Sequence, residues 1–201
     1  LFNFYPLKTK TKKIALFGTS ADPPTNGHRI IIEELSKNFH LVISYASDNP
    51  SKKHKENLFF RSLLLKTLIE NINNPKIHFD QDLSSPWAIN TFEKCKKKYQ
   101  SNEIFFVIGS DLLGELFFWK NINEILNELN LYIIPRKDYP INLKDLKLLK
   151  DKNINFEISK INVPKISSSL IRKDKNYLGL PESLVPIIKK NNLYRPLNKS
   201  I

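Results

Sequence analysis

Lys13-Ile-Ala-Leu-Phe-Gly-Thr-Ser-Ala-Asp-Pro-Pro-Thr-Asn-Gly-His28, continued by Arg29-Ile-Ile-Ile-Glu-Glu-Leu35, decides the fold. Ile14 to Phe17 is a short apolar run bounded by a lysine pair and Gly18, which is how a buried parallel strand reads. Thr19 to Pro24 is excluded from helix by the tandem prolines, which disfavour αR in the residue before them. From Gly27 onward Ile30, Ile31, Glu34 and Leu35 recur at helical spacing. The stretch is therefore strand, tight polar loop, helix. A loop that ends at a helix N-terminus meets free backbone N–H groups and the positive end of the macrodipole, a setting that favours an anion. Thr25 and His28 flank that first turn, and both side chains can point donors at the same anion. The helix field opposes a positive imidazole, so His28 is expected neutral, with one N–H to donate.

The same alternation runs down the chain. Phe39–Ala46, Lys76–Asp80, Glu103–Gly109, Leu131–Pro135 and Asn155–Ser159 read as strands. Leu58–Ile69, Trp87–Tyr99 and Leu143–Leu149 read as helices, and Ser110–Leu129 as helical segments. Strands alternating with helices over short connections predict an α/β fold with a doubly wound parallel sheet. With no repeats or low-complexity linkers, residues 1–201 read as one domain, residues 1–12 being a leader that is either disordered or packed on the surface. Such sheets bind ligands beyond the carboxyl ends of their strands. The polar loops Thr19–Thr25, Ser47–Lys55 and Gly109–Asp111 would share that edge.

Bulk composition narrows the class. The 201 residues carry a net charge of +12, nearly all of the excess from lysine. That permits acidic partners such as nucleotides or polyphosphates. Abundant Lys, Asn and Ile also reflect an AT-rich genome, so the charge is not taken as a sign of nucleic-acid binding. Cys95 is the one cysteine, which excludes an intramolecular disulfide and a cysteine-based zinc site. Its lysine neighbours could lower its pKa, yet nothing nearby suggests a base, and it reads as incidental. No apolar run reaches membrane-spanning length, and the first thirteen residues lack a signal-peptide core, so the expected compartment is the cytoplasm, with no membrane.

Further motifs carry two readings each. Lys165-Ile-Ser-Ser-Ser-Leu-Ile-Arg172 is either a helix cap with a surface arginine or a phosphate grip of hydroxyls and guanidinium. Asp111, in Val107-Ile-Gly-Ser-Asp111, either caps a helix or accepts from ribose hydroxyls. Trp119 is either core or a stacking face for a flat ring. Asp48-Asn-Pro-Ser-Lys-Lys-His-Lys55 is either a solvated charge run or a phosphate-contacting loop.

Thr25-Asn-Gly-His28 resembles the (His/Thr)-x-Gly-His signature of the nucleotidyltransferase superfamily. Phe17-Gly-Thr-Ser-Ala-Asp-Pro-Pro resembles the Gly-Gly-Thr-Phe-Asp-Pro-Pro run of bacterial nicotinate-nucleotide adenylyltransferases, with Thr19, Ser20 and Ala21 standing for Gly, Thr and Phe. The serine-arginine stretch resembles the Ile-Ser-Ser-Thr-x-Ile-Arg motif of the same enzymes. Gly179-Leu-Pro-Glu-Ser-Leu-Val-Pro and Asn192-Leu-Tyr-Arg195 resemble their ending. The loop form is most like the cyanobacterial branch.

That resemblance implies a Rossmann-like fold and adenylyl transfer from ATP to nicotinate mononucleotide, with Mg²⁺ brought by ATP and no dedicated protein metal site. It implies catalytic roles for His28 and Thr25 at the α-phosphate. It implies ATP contacts from Gly18, Thr19, Ser20, Gly27, Gly109, Asp111, Ser167, Ser168 and Arg172. Asp22, Asn49, Lys52, His54, Thr91 and Trp119 would contact the mononucleotide, and Arg61 matches a family arginine. Trp87-Ala88 stand where Tyr-Thr is usual. The partners implied are ATP and the mononucleotide, with no nucleic acid; a homo-oligomer is compatible with the sequence. Two other readings stand beside this one. One is a nicotinamide-mononucleotide or pantetheine-phosphate adenylyltransferase of the same superfamily, and the other is a basic nucleic-acid-binding domain on the same fold.

Overall fold

Ile14 and Leu16 point to one side of the first strand and Ala15 and Phe17 to the other, and all four are buried. A strand covered on both faces needs apolar residues at every position, which is why the run shows no alternation. A computed structural model describes residues 12–100, 102–164, 166–174 and 177–194. Residues 1–11 of the expected leader, together with Lys165 and Arg195, lie outside the described residues.

Six parallel strands, β1 (Lys13–Thr19), β2 (Leu41–Ala46), β3 (Ile77–Phe79), β4 (Glu103–Gly109), β5 (Asn130–Ile134) and β6 (Asn155–Ile158), lie in the order β3-β2-β1-β4-β5-β6. The order grows outward in both directions from β1 and β4, the arrangement of doubly wound sheets. One face packs on α1 (Asn26–Asn38), α2 (Leu58–Ile72), α5 (Ser168–Asp174) and α6 (Val185–Lys190), through residues such as Ile32, Leu35, Leu64, Leu68, Ile171 and Ile188. The other packs on α3 (Ala88–Lys98), α4 (Leu143–Asp151) and the Ser110–Phe118 segment, through Ile89, Phe92, Leu113, Leu116 and Leu149. Each fully buried leucine or isoleucine in these layers contributes about 1.5–3 kcal/mol.

The helical segments expected over Ser110–Leu129 are 3₁₀: a run over Ser110–Phe118 followed by two further 3₁₀ turns. Trp87 precedes α3 as its N-cap instead of belonging to it. Cys95 is fully buried, and burial pushes its thiol up to about 12, outweighing the lowering pull of Lys98.

β1 and β4 pair only from Lys13–Glu103 to Leu16–Phe106. Each strand then continues for three more residues, to Thr19 and Gly109, without pairing to the other. β1 stays bonded to β2 and β4 to β5 over those last residues. The sheet therefore splits at its carboxyl edge at the point where the strand order reverses, and the split opens a crevice.

Candidate active site

The crevice is a cleft of about 810 Å³ floored by Phe17, Gly18, Val107, Ile108 and Gly109 from the parted strand ends. Every residue to which the sequence assigned a contact borders it, including Thr25 and His28 at the start of α1, Asn49 and Lys52 after β2, Asp111 after β4, and Ser167 and Arg172 around α5.

His28 is the third residue of α1 and Thr25 its N-cap. The backbone N–H of Thr25 donates to Nδ1 of His28 at 3.0 Å, and Thr25 Oγ1 lies 2.8 Å from the same nitrogen. The His28 N–H in turn donates to Thr25 Oγ1 at 3.4 Å. Nδ1 is thereby an acceptor, so a neutral His28 carries its proton on Nε2. The expected side-by-side aim of the two side chains at one anion is corrected: Thr25 is wholly buried and its hydroxyl is turned toward His28. The ring keeps some accessible surface in the cleft but is walled by protein, and burial lowers its pKa to about 4. The charge of Arg136 adds to that lowering.

Asp22 is buried at the cleft wall, and its two carboxylate oxygens accept from the N–H groups of Lys55 and Glu56 at 2.6 and 3.1 Å. It thereby clamps the loop after β2. Arg61 works beside it with 1% exposure. Its guanidinium donates to the carbonyls of Ser20 and Ser47, each at 2.8 Å, and of Glu56 at 3.1 Å. The loops after β1 and β2 are thus tied together from below. His54 is carried on this framework at the cleft wall, with a buried Nε2 that has no partner among the described residues. Burial foremost, then the Arg61 charge, lowers its pKa. Asn49 accepts from the Ser51 N–H at 2.8 Å, shaping the turn, while Lys52 is exposed at the rim.

Gly18 is explained by a protein neighbour. A Cβ there would sit 2.4 Å from the hydroxyl of Tyr45, which is packed under the strand end and shares a hydrogen bond with Thr91. Thr91 is 1% exposed, so its hydroxyl supports Tyr45. Thr19 Oγ1 accepts from the Ala21 N–H at 3.3 Å, and Ala21 holds a positive φ of 48° in the turn before Asp22.

Across the split, Asp111 Oδ1 lies 3.1 Å from Nε of Arg136. A Cβ on Gly109 would come within 2.2 Å of that carboxylate and 2.7 Å of that guanidinium, so only glycine leaves room for the pair. Ser110 donates to the Tyr139 carbonyl at 2.6 Å and accepts from the Arg136 N–H at 2.8 Å, which fixes the loop carrying the arginine. Arg136 and Ser110 were not singled out from sequence. The available signal was position: Arg136 follows β5 by two residues, on the same carboxyl edge as the other loops.

The serine-arginine segment is strapped onto the first loop. Ser168 donates to the Pro23 carbonyl at 2.7 Å, and Arg172 donates to the Asp22 carbonyl with its guanidinium 3.7 Å from the Asp22 carboxylate. Ser167 accepts from the Leu170 N–H at 3.1 Å, capping α5. The capping reading therefore holds for Ser167, and Ser168 is an anchor. Gly27 permits the strap to close, since a Cβ there would touch the Ile166 carbonyl at 3.3 Å.

At the far end Trp119 is half-buried, edge-on to Phe106 with centroids 6.0 Å apart. Trp87 borders the same end and offers no side-chain acceptor to the first N–H groups of α3. The arrangement can take a flat ring at one end and several phosphates along α1 and the strap. Among the described residues no group of three or more His, Cys, Asp or Glu side chains could hold a metal ion.

Residues 16–174 match the cytidylyltransferase-like family. The chain is 31% identical, over 91% of its own length and 99% of the relative's, to a probable nicotinate-nucleotide adenylyltransferase of Synechocystis. It is 34% identical, over 92% of itself and all of the relative, to one of Clostridium novyi. A solved Plasmodium falciparum nicotinic acid mononucleotide adenylyltransferase, complexed with NaAD, superposes with a TM-score of 0.74 at 23% identity, covering 91% of this chain and 97% of that one.

Proposed function

This chain belongs to the cytidylyltransferase-like family, with nicotinate-nucleotide adenylyltransferases as its relatives, and we propose that it moves the adenylyl group of ATP onto nicotinate mononucleotide. An oxygen of the mononucleotide phosphate attacks the α-phosphorus of ATP, the bond to the β-phosphate oxygen breaks, and pyrophosphate leaves with that electron pair. The products are deamido-NAD and pyrophosphate. The nucleophile is already an anion, so no strong base is required, and the task is to align two polyanions and take up charge on the transferring group.

The observation that supports this reading best is the acceptor state of His28 Nδ1, which leaves Nε2–H as the donor of a neutral ring at the mouth of α1. That donor meets the α-phosphate and gains strength as charge gathers there in the transition state. Thr25 positions His28. Arg172 and the N–H groups of the strap take the β- and γ-phosphates. Asp111 accepts from the ribose, with Thr19, Ser20 and Gly109 shaping the nucleotide wall. Lys52 and His54 face the mononucleotide phosphate, and Trp119 stacks on the pyridine ring. Mg²⁺ entering with ATP would supply charge neutralisation on the phosphates. Among the described residues no helix is long and apolar enough to cross a membrane. An ATP-consuming step suits the cytoplasm, where we place the protein.

Pyrophosphate release from ATP with nicotinate mononucleotide, nicotinamide mononucleotide and phosphopantetheine, compared side by side, tests the assignment. The first acceptor is expected to give the highest kcat/KM. A higher value with either of the others overturns the substrate while leaving the fold untouched.

A further inference from the structure

Lys120 is the residue after Trp119, in the turn that ends the 3₁₀ run. Its Nζ lies 4.6 Å from the centroid of the Trp87 ring. Trp87, Trp119 and Lys120 border the same cleft. Two indoles from separate segments, one entering α3 and one leaving the 3₁₀ run, therefore line one cleft, with an ammonium seated over the face of Trp87. An indole face attracts a cation through its quadrupole, which holds the flexible lysine stem against the ring instead of letting it sweep through solvent. The other lysines and arginines that line the cleft, Lys52, Lys53, Arg136, Lys137 and Arg172, follow β2 or β5 or lie in α5, whereas Lys120 follows Trp119 directly.

We propose that Lys120 is a specificity-determining residue that favours an acceptor bearing a carboxylate on its aromatic ring over the corresponding amide. The inference rests on the adenylyltransferase reading and deepens it. Two acceptors that differ only in carboxylate against carboxamide share shape and stacking, so the difference in their binding is electrostatic. An ammonium held beside the ring supplies that difference, because the carboxylate gains a charge-assisted hydrogen bond that the neutral amide gains more weakly. The uncapped first turn of α3, behind Trp87, adds a weaker pull of the same sign. Removing Lys120 therefore reduces the preference without abolishing it. The ring carboxylate is remote from the reacting phosphorus and is bound equally in ground and transition states, so the effect appears in KM rather than kcat.

The test is the kcat/KM ratio of nicotinate to nicotinamide mononucleotide, measured for the wild type, Lys120→Met and Lys120→Arg. Methionine keeps an unbranched stem on the Trp87 face and removes the charge. Lys120→Met is expected to lower the ratio about fivefold, through a raised KM for the acid, as loss of a partly exposed charge partner does. Lys120→Arg is expected to stay within about twofold of wild type, since the guanidinium also stacks on an indole. A Lys120→Met ratio within about twofold of wild type overturns the role of Lys120 while the adenylyltransferase reading stands. A wild type that uses nicotinate mononucleotide no better than buffer overturns both.

Discussion

The Thr25 backbone N–H donates to His28 Nδ1 at 3.0 Å, so one residue both starts α1 and sets which nitrogen of the imidazole carries the proton. The usual capping box ends in a Glu or Gln side chain, and here His28 fills that place. Structural and chemical duties are thereby coupled in a single pair.

Thr25→Ala leaves the backbone donor and removes the hydroxyl. Loss of an N-cap side chain costs about 1 kcal/mol, so a fall of several degrees in Tm is expected. The weaker grip on Nδ1 is expected to lower kcat by about tenfold or less, since the backbone bond still selects the tautomer. Thr25→Ser should keep both properties, as it retains the hydroxyl. Thr25 is wholly buried, so Thr25→His, although allowed by the family signature, must displace its neighbours here and is expected to destabilise. Thermal melts and steady-state kinetics of the three variants check this.

The pH behaviour of His28 follows from its pKa of about 4, below the ordinary 6.5. A depressed folded pKa means the unfolded chain binds the proton more readily. The stabilisation from keeping His28 neutral is complete above 6.5 and is lost as pH falls from 6.5 toward about 4. Imidazole signals followed by NMR are expected to show no titration of His28 between about pH 6 and 8. A His28 midpoint near 6.5 would contradict the burial of the ring against Arg136.

Gly109 is predicted to be intolerant at the level of the site rather than of the fold. The atoms a Cβ would meet are the ends of Asp111 and Arg136, which can swing away. Gly109→Ala is expected to part that pair and raise the KM for ATP about tenfold, consistent with the loss of about 1.4 kcal/mol of binding. Its Tm should stay within a few degrees of wild type, as no buried layer is opened. Differential scanning fluorimetry beside ATP titration separates the two effects.

The fold was legible because its signals are local. Ile14–Phe17 and Ile104–Ile108 are unbroken apolar runs, Leu41–Ala46 is interrupted only by Ser44, and the tandem prolines fix where the first loop cannot be helix. The cleft was legible as an edge, from the rule that places loops after parallel strands together. What stayed hidden depends on contacts between distant segments. Asp22 holds the N–H groups of Lys55 and Glu56, some thirty residues on, and no local pattern marks that link. Gly18 looked like a ligand approach, and Tyr45 from the neighbouring strand is what crowds it. Lys120 and Trp87, which meet in space, carry no shared pattern in the chain.

The central claim is that His28, neutral and oriented through Nδ1, donates from Nε2 to the group being transferred. The most direct measurement is kcat for His28→Ala, with the equilibrium affinity for ATP measured on the same preparation. Removing one transition-state donor commonly costs on the order of 10²–10³ in kcat, and that loss is expected with ATP affinity changed by no more than about threefold. A variant that keeps kcat within about threefold of wild type, or one that loses ATP affinity in step with kcat, would contradict it.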